Sequence, residues 1–384
     1  MNLTTVADFG ALSCSPDVAE TDRLRWLLLC TVACLYLPFV GSGPGSNPDS
    51  IRELSAGAQL LWQHRYVMSR PPGYFPYEML CGVLYFFGGS IANNCASVLV
   101  SLMLLDSFLT ICGRLQVPHR HLLAAMMAIH PIYWTASTST IDYIWALACC
   151  FLGWRLMLNR RNISAGAMLG LAIGIRLASV LLVAPLLVSS LAPRLRDRNL
   201  WLTVALAGGL GAVWYLPAYM ASGNSLAFLT YYIGSWSWSG QLARFIYKNV
   251  YFWGLPAALF ILAMTPMIIG RLRRCDRKFR PLLALSLSIS ILIEGLFFNI
   301  PVQRAYLLPV LPFTLMLCGI AMRDRGHLLA TMTLLLLSYN FVNVNFARAD
   351  VPNHATFARL GVFIEPGYLL SDATRRLELR ETHF

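Results

Sequence analysis

The chain has 384 residues, of which 57% are hydrophobic and only 12% charged, and its formal charge is +12. That charged fraction is about half of what a soluble domain carries, and several apolar runs approach the ~18 residues that cross a hydrocarbon core, so a soluble globular enzyme is excluded. The basic residues lie in short clusters between apolar runs, which excludes nucleic acid as the partner and fits loops facing the cytoplasm. No short alternating segments suggest a β-barrel. The predicted fold class is all-α, a polytopic helical membrane protein.

The first apolar run, residues 26–41, follows more than twenty mixed residues and ends in Gly41-Ser42-Gly43, which is no A-x-A cleavage pattern. It reads as a retained span. Next comes "SNPDSIRELSAGAQLLWQHRYVMSRPPGYFPYEMLCG", residues 46–82, a concentration of charge in a chain that has little. Ile51, Leu54, Ala58, Leu61 and Trp62 recur at helical spacing, so residues 51–65 are predicted to form an amphipathic surface helix. Residues 77–89 are too short to cross and are predicted to form a shallow or re-entrant helix packed on other spans. Further spans follow at about 95–113, 120–137 and 141–158.

Residues 163–191 join two basic clusters. They are too long for one relaxed helix and too short for two full spans, so they are predicted to be a broken hairpin folded back near Gly174–Arg176. A lone Arg at bilayer depth costs roughly 2.5–3.5 kcal/mol, so Arg176 is expected to face a cavity or a partner. Spans at about 199–217, 249–270, 281–299, 305–322 and 327–344 complete about eleven helices. Residues 1–345 read as a single domain, followed by a polar tail, 346–384.

Five basic clusters, at 114–121, 155–161, 194–198, 271–280 and 323–325, belong inside. Residues 42–94, 137–142, 218–248 and 299–306 then lie outside, in the inner or plasma membrane of a bacterium. The ten cysteines fall mostly within apolar runs and form no C-x-x-C, so they read as small buried hydrophobes.

With these elements placed, four ordered motifs resemble the C-type (GT-C) glycosyltransferase superfamily, closest to its protein O-mannosyltransferase-like branch. They are Asp49-Ser50-Ile51-Arg52-Glu53 followed by Arg70-Pro71-Pro72-Gly73-Tyr74-Phe75-Pro76-Tyr77, then "HPIYWTASTSTIDYIWAL", "GLAIGIRLASVLLVAPLLV" and "PVQRAYLLPVLPF". Arg70 stands where that branch carries a His. The resemblance implies a membrane transferase that takes a sugar from a polyprenyl-phosphate donor and works on the outer face, on a protein, glycan or lipid acceptor. The alternative is a polytopic transporter or flippase for a lipid-linked sugar, against which stand the lack of an internal repeat and the gathering of polar residues at one face. A hydrolase of lipid-linked sugars, or a non-catalytic subunit, would share most of these features.

The candidate site residues follow from that chemistry. An acceptor hydroxyl must lose its proton, and Asp49 is the leading base; as a plain structural residue it would cap the 51–65 helix. Glu53 and Asp142 are assisting acids, with first-turn placement and capping as their structural alternatives. A divalent cation at these acids is left open, and no other cofactor is indicated.

For the donor phosphate the candidates are Arg304, Arg70 and Arg176, with Arg244 and Lys248 as further cations. A guanidinium matches phosphate bidentately, while Arg304 could equally anchor to lipid headgroups. Tyr74, Trp236, Trp238 and Lys248 are candidate sugar or lipid contacts. Aromatic rings stack on sugars, but Trp also populates the membrane interface.

Overall fold

The computed structural model describes residues 18–191, 197–229, 237–349 and 357–383. In chain order its helices are α1 (Val18–Tyr36), α2 (Pro48–Gln63), α3 (Phe75–Arg114), α4 (Arg120–Ile129), α5 (Pro131–Ser137), α6 (Asp142–Leu158), α7 (Asn162–Ile175) and α8 (Val180–Leu191). They continue with α9 (Arg198–Val213), α10 (Leu216–Ala221), α11 (Trp238–Trp253), α12 (Leu255–Arg273), α13 (Arg280–Asn299), α14 (Val310–Ala321) and α15 (Gly326–Phe341). Strands β1 (Val342–Ala349) and β2 (Phe357–Pro366) form one antiparallel pair, and α16 (Tyr368–His383) ends the chain.

This is a helical, multi-pass membrane architecture. Among the described residues five helical segments are long and apolar enough to cross a bilayer, and α5 with α6 makes a sixth if read as one broken span. Of the eleven helices predicted, several are short apolar pieces because the chain breaks where hydropathy does not. Gly88 and Gly89 leave helical backbone inside α3, which separates the predicted shallow helix from the span after it. His130 is extended between α4 and α5. Gly254, at φ 78°, parts α11 from α12, so residues 249–253 belong to the preceding amphipathic helix and not to the predicted 249–270 span. The predicted hairpin breaks at Arg176, whose extended backbone ends α7. The last predicted span gives way at Val342 to β1, and the tail forms β2 and α16.

Two compact units emerge. One comprises residues 1–115, 136–232 and 373–384; the other, residues 116–135 and 233–372.

In the first unit α2 lies on α3 at a crossing without side chains. A Cβ on Gly57 would collide with the Glu78 carbonyl oxygen, and one on Gly82 with the Gly57 carbonyl oxygen. Small residues let helix backbones approach this closely, and here the approach sets the acidic face of α2 against the start of α3. Asp106 of α3 staples two further helices, pairing with Arg25 of α1 and with Arg155 of α6 at 2.6 Å. The tail helix α16 belongs to this unit from residue 373 onward. Its buried Arg376 donates to the Thr138 carbonyl at 2.8 Å, in the loop that leads to Asp142.

In the second unit Tyr339 of α15 is a hub. Its hydroxyl donates to the Tyr251 carbonyl at 2.8 Å, and its ring lies where a Cβ on Gly254 would be. Asn340 donates to the Ile129 carbonyl at 2.8 Å, tying α15 to α4.

Candidate functional site

Asn47, not Asp49, caps α2. Its side chain accepts from the Asp49 amide at 3.1 Å, and Pro48 takes the first helical position. Pro is pre-organised there and Asn satisfies an orphan donor, so the Asp49 carboxylate is released from capping. Asp142 likewise begins α6 without capping it, the N-cap position being Ile141 with no side-chain bond. Glu53 lies one turn beyond Asp49 and is wholly buried, which is no place for a residue serving only the helix dipole.

These three acids converge on Arg70. Arg70 Nη1 lies 2.8 Å from Asp49 Oδ2, and Nη2 lies 2.9 Å from Glu53 Oε1 and 3.1 Å from Asp142 Oδ1. The other Asp142 oxygen accepts from Arg176 Nη1 at 2.8 Å, so the broken hairpin delivers Arg176 to a buried carboxylate. Tyr74 lies under the Arg70 guanidinium, 4.5 Å from carbon to ring centre, and Tyr143 stands under Arg176 at 3.9 Å. Exposed Arg52 is a looser neighbour, 3.6 Å from Asp49 Oδ1.

Charge balance in this cluster rests on Glu53. Burial pushes its carboxyl well above the usual carboxylate range; Arg70 draws it down, and Asp142, Asp49 and Glu78 push it further up. Around it, Asp49 and Asp142 face the buried guanidinium groups of Arg70 and Arg176. A buried charge is tolerated only when paired in this way. Arg70 and Arg176, predicted as phosphate ligands, are therefore engaged with acids. The Arg70 guanidinium lies among the three carboxylates that a divalent cation would need. Among the described residues no group of three or more His, Cys, Asp or Glu could hold a metal ion.

Glu78, which sequence reasoning passed over, holds the loop that bears Arg70. Its Oε2 accepts from the Tyr66 hydroxyl at 2.5 Å, and its Oε1 from the Ser69 amide at 2.9 Å and from the Ser69 hydroxyl. The turn between is tight: Gly73 has φ 91°, its amide donates to the Arg70 carbonyl at 2.8 Å, and a Cβ there would come within 2.9 Å of the Tyr66 hydroxyl. The one available signal was an acid inside an apolar helix start.

The second unit holds a different arrangement, cations among tyrosines. Arg304 Nη1 donates to the Tyr339 hydroxyl at 3.3 Å, and its guanidinium lies 4.7 Å from the Tyr368 ring and 5.8 Å from that of Tyr251. Lys248 donates to the Val302 carbonyl at 2.9 Å. Burial first, then the charges of Arg304 and Arg244, lower its ammonium to about 8. Neither Arg304 nor Lys248 forms an ion pair with a carboxylate among the described residues. Trp238 is exposed at the start of α11, its ring edge-on to Phe298 at 5.0 Å. Trp236 lies outside the described residues.

Residues 66–299 match the model of Glycosyltransferase family 87, a stretch that includes Arg70, Glu78, Asp142 and Arg176. The chain belongs to glycosyltransferase family 87. That family is one of the GT-C glycosyltransferases, the superfamily its motifs resemble. The fold of this family 87 member is similar to that of ArnT from Cupriavidus metallidurans. ArnT crystal structures in the apo state and bound to undecaprenyl phosphate each superpose with a TM-score of 0.56 at 19% identity. The match covers 83% of this chain and 64% of ArnT, so the chain spans just under two thirds of that protein's length. Among curated proteins none matches the sequence.

Proposed function

We propose that this family 87 member transfers a sugar from a polyprenyl-phosphate donor to an acceptor hydroxyl on the non-cytoplasmic face of a bacterial inner membrane, as in the O-mannosyltransferase-like branch of the superfamily. The observation that carries the reading is the buried cluster in which Arg70 joins Asp49, Glu53 and Asp142. Buried acids and guanidinium groups cost too much to keep without a use or a partner, and this cluster sits in a chain of a glycosyltransferase family.

Asp49 takes the acceptor proton. It lies in the first turn of α2, and the capping duty that would occupy its oxygens falls to Asn47. A carboxylate placed within hydrogen-bond reach of a hydroxyl contributes ~10²–10⁴-fold as a general base. Arg70 pairs with both Asp49 and Asp142, Arg176 pairs with Asp142, and together they hold the two side chains in place. The donor phosphate leaves already ionised and needs no strong acid. Within the second unit, Arg304 and Lys248 are the cations suited to bind a donor phosphate, their polar partners there being a tyrosine hydroxyl and a backbone carbonyl. A guanidinium is worth most to a developing anion where water is excluded. ArnT bound to undecaprenyl phosphate supports a donor of that class. The acceptor is a hydroxyl-bearing protein, glycan or lipid.

Purified chain is incubated with radiolabelled polyprenyl-phosphate sugar and a membrane extract as acceptor. Label moving from the lipid into extract, with release of polyprenyl phosphate, is the expected result. Label released as free sugar points to a hydrolase. Intact donor crossing proteoliposomes without cleavage points to a flippase. Either outcome overturns the proposal.

A further inference from the structure

Among the described residues, the hydrogen bonds to the Glu78 side chain come from the segment 66–74, the segment that carries Arg70. The Ser69 amide and hydroxyl fix the residue before Arg70, the Tyr66 hydroxyl fixes the loop upstream, and the Tyr74 amide approaches at 3.4 Å from the other side. Between those anchors the chain turns through Arg70–Gly73, closed by the Gly73 amide on the Arg70 carbonyl. The Arg70 guanidinium, which three acids share, thus hangs from a loop clamped at both ends by one buried carboxylate. Among the described residues that carboxylate makes no hydrogen bond or ion pair with the guanidinium itself. Ordering such a loop costs backbone entropy at every residue, and an acceptor-only side chain meeting several donors at once supplies that order locally.

We propose that Glu78 is a positioning residue for the transfer, acting through Arg70 and having no contact of its own with substrate. The inference rests on the role given above to the Arg70 cluster and adds the device that sets it. Glu78 holds the 66–74 loop so that Arg70 meets Asp49 and Asp142 together. Gln at this position keeps one acceptor oxygen and turns the other into a donor, which then faces a hydroxyl or an amide. Tyr66→Phe and Ser69→Ala each delete one hydroxyl donor and leave the buried acid in place.

The test has two arms, both on the full chain purified in detergent. In the first, hydrogen exchange is followed in peptides covering 66–74. Glu78→Gln is expected to speed exchange there at least about tenfold while α6 and α9 keep wild-type protection. In the second, transfer rates are measured in a double-mutant cycle with Arg70→Lys. Glu78→Gln alone should lower kcat roughly 10- to 100-fold, the size expected when bonds to a buried charged acceptor are lost. It should have little further effect in the Arg70→Lys background.

A merely structural role would give the same factor in both backgrounds, and that additivity would overturn the proposal, as would unchanged exchange in 66–74. If Glu78→Gln does not insert, Tyr66→Phe and Ser69→Ala carry the same cycle with smaller factors. A wild-type chain that transfers nothing defeats the functional reading above, and the exchange arm then decides the clamp by itself.

Discussion

Asp142 and Arg176 are bound to each other, yet removing them should not cost the same. Asp142 is fully buried and accepts from two guanidinium groups, Arg70 at 3.1 Å and Arg176 at 2.8 Å. Asp142→Ala leaves Arg176 inside the unit without the carboxylate it faces, and removing one partner of a buried ion pair costs about 3–5 kcal/mol. Arg176→Met leaves Asp142 still paired with Arg70. It loses one charge-assisted bond and the contact with the Tyr143 ring, about 1.5–3 kcal/mol. The double variant removes both buried charges and should recover part of the loss of Asp142→Ala. Thermal unfolding in one detergent, read as the loss of monomer on heating, ranks the four proteins. Wild type should be most stable, then Arg176→Met, with Asp142→Ala last and the double variant above it. If Arg176→Met is the least stable, or the double variant is worse than Asp142→Ala, the pairing does not govern the stability of this unit.

Other expectations follow from the second unit and from the topology. Arg304→Lys keeps one charge but loses the two-pronged geometry, and Arg304→Gln loses both, so donor affinity should fall in the order wild type, Lys, Gln; equal affinities would leave Arg304 as an interfacial anchor. Lys248 is lowered to about 8, so its ammonium is charged below that pH and neutral above it. Donor binding in the wild type should weaken as pH rises from about 7 to about 9 and stay flat in Lys248→Met; a flat wild-type profile would remove Lys248 from the phosphate site. Gln63, exposed at the end of α2, reports the side of the membrane. Gln63→Cys should react with an impermeant thiol reagent in intact cells well above the parent chain, and labelling only after lysis would reverse the threading.

Much of the charged cluster could be read from the sequence because charge is conspicuous in an apolar chain. Arg176 inside "GLAIGIRLASV" demands a partner at bilayer depth, and the acids of "DSIRE" with the Arg of "RPPGY" stood out for the same reason. Which cap starts α2 was not legible: Asn47, Asp49 and Ser50 can all cap, and only the turn of the backbone at Asn47 decides. Helix breaks were harder still. Hydropathy averages over a span, whereas the breaks at Gly88–Gly89 and Gly254 depend on single backbone angles.

Beyond an acid at an apolar helix start, the role of Glu78 was not legible, because its partners Tyr66 and Ser69 lie in an irregular loop, where hydrogen bonds follow no period. The strand after α15 was visible and missed. Val342, Val344 and Phe346 alternate with Asn343 and Asn345, the period of a strand, but the last span had absorbed the first of them.

The central claim is that Asp49 is the base in a sugar transfer from a lipid-linked donor. The most direct measurement pairs Asp49→Asn with wild type, purified alike, and reads donor binding and single-turnover transfer on the same samples. Asn cannot take the proton yet keeps the shape of the side chain. The account predicts donor affinity within about threefold of wild type and transfer slowed at least ~10²-fold, the lower end for a lost general base. Transfer by Asp49→Asn at a rate near that of wild type would contradict it.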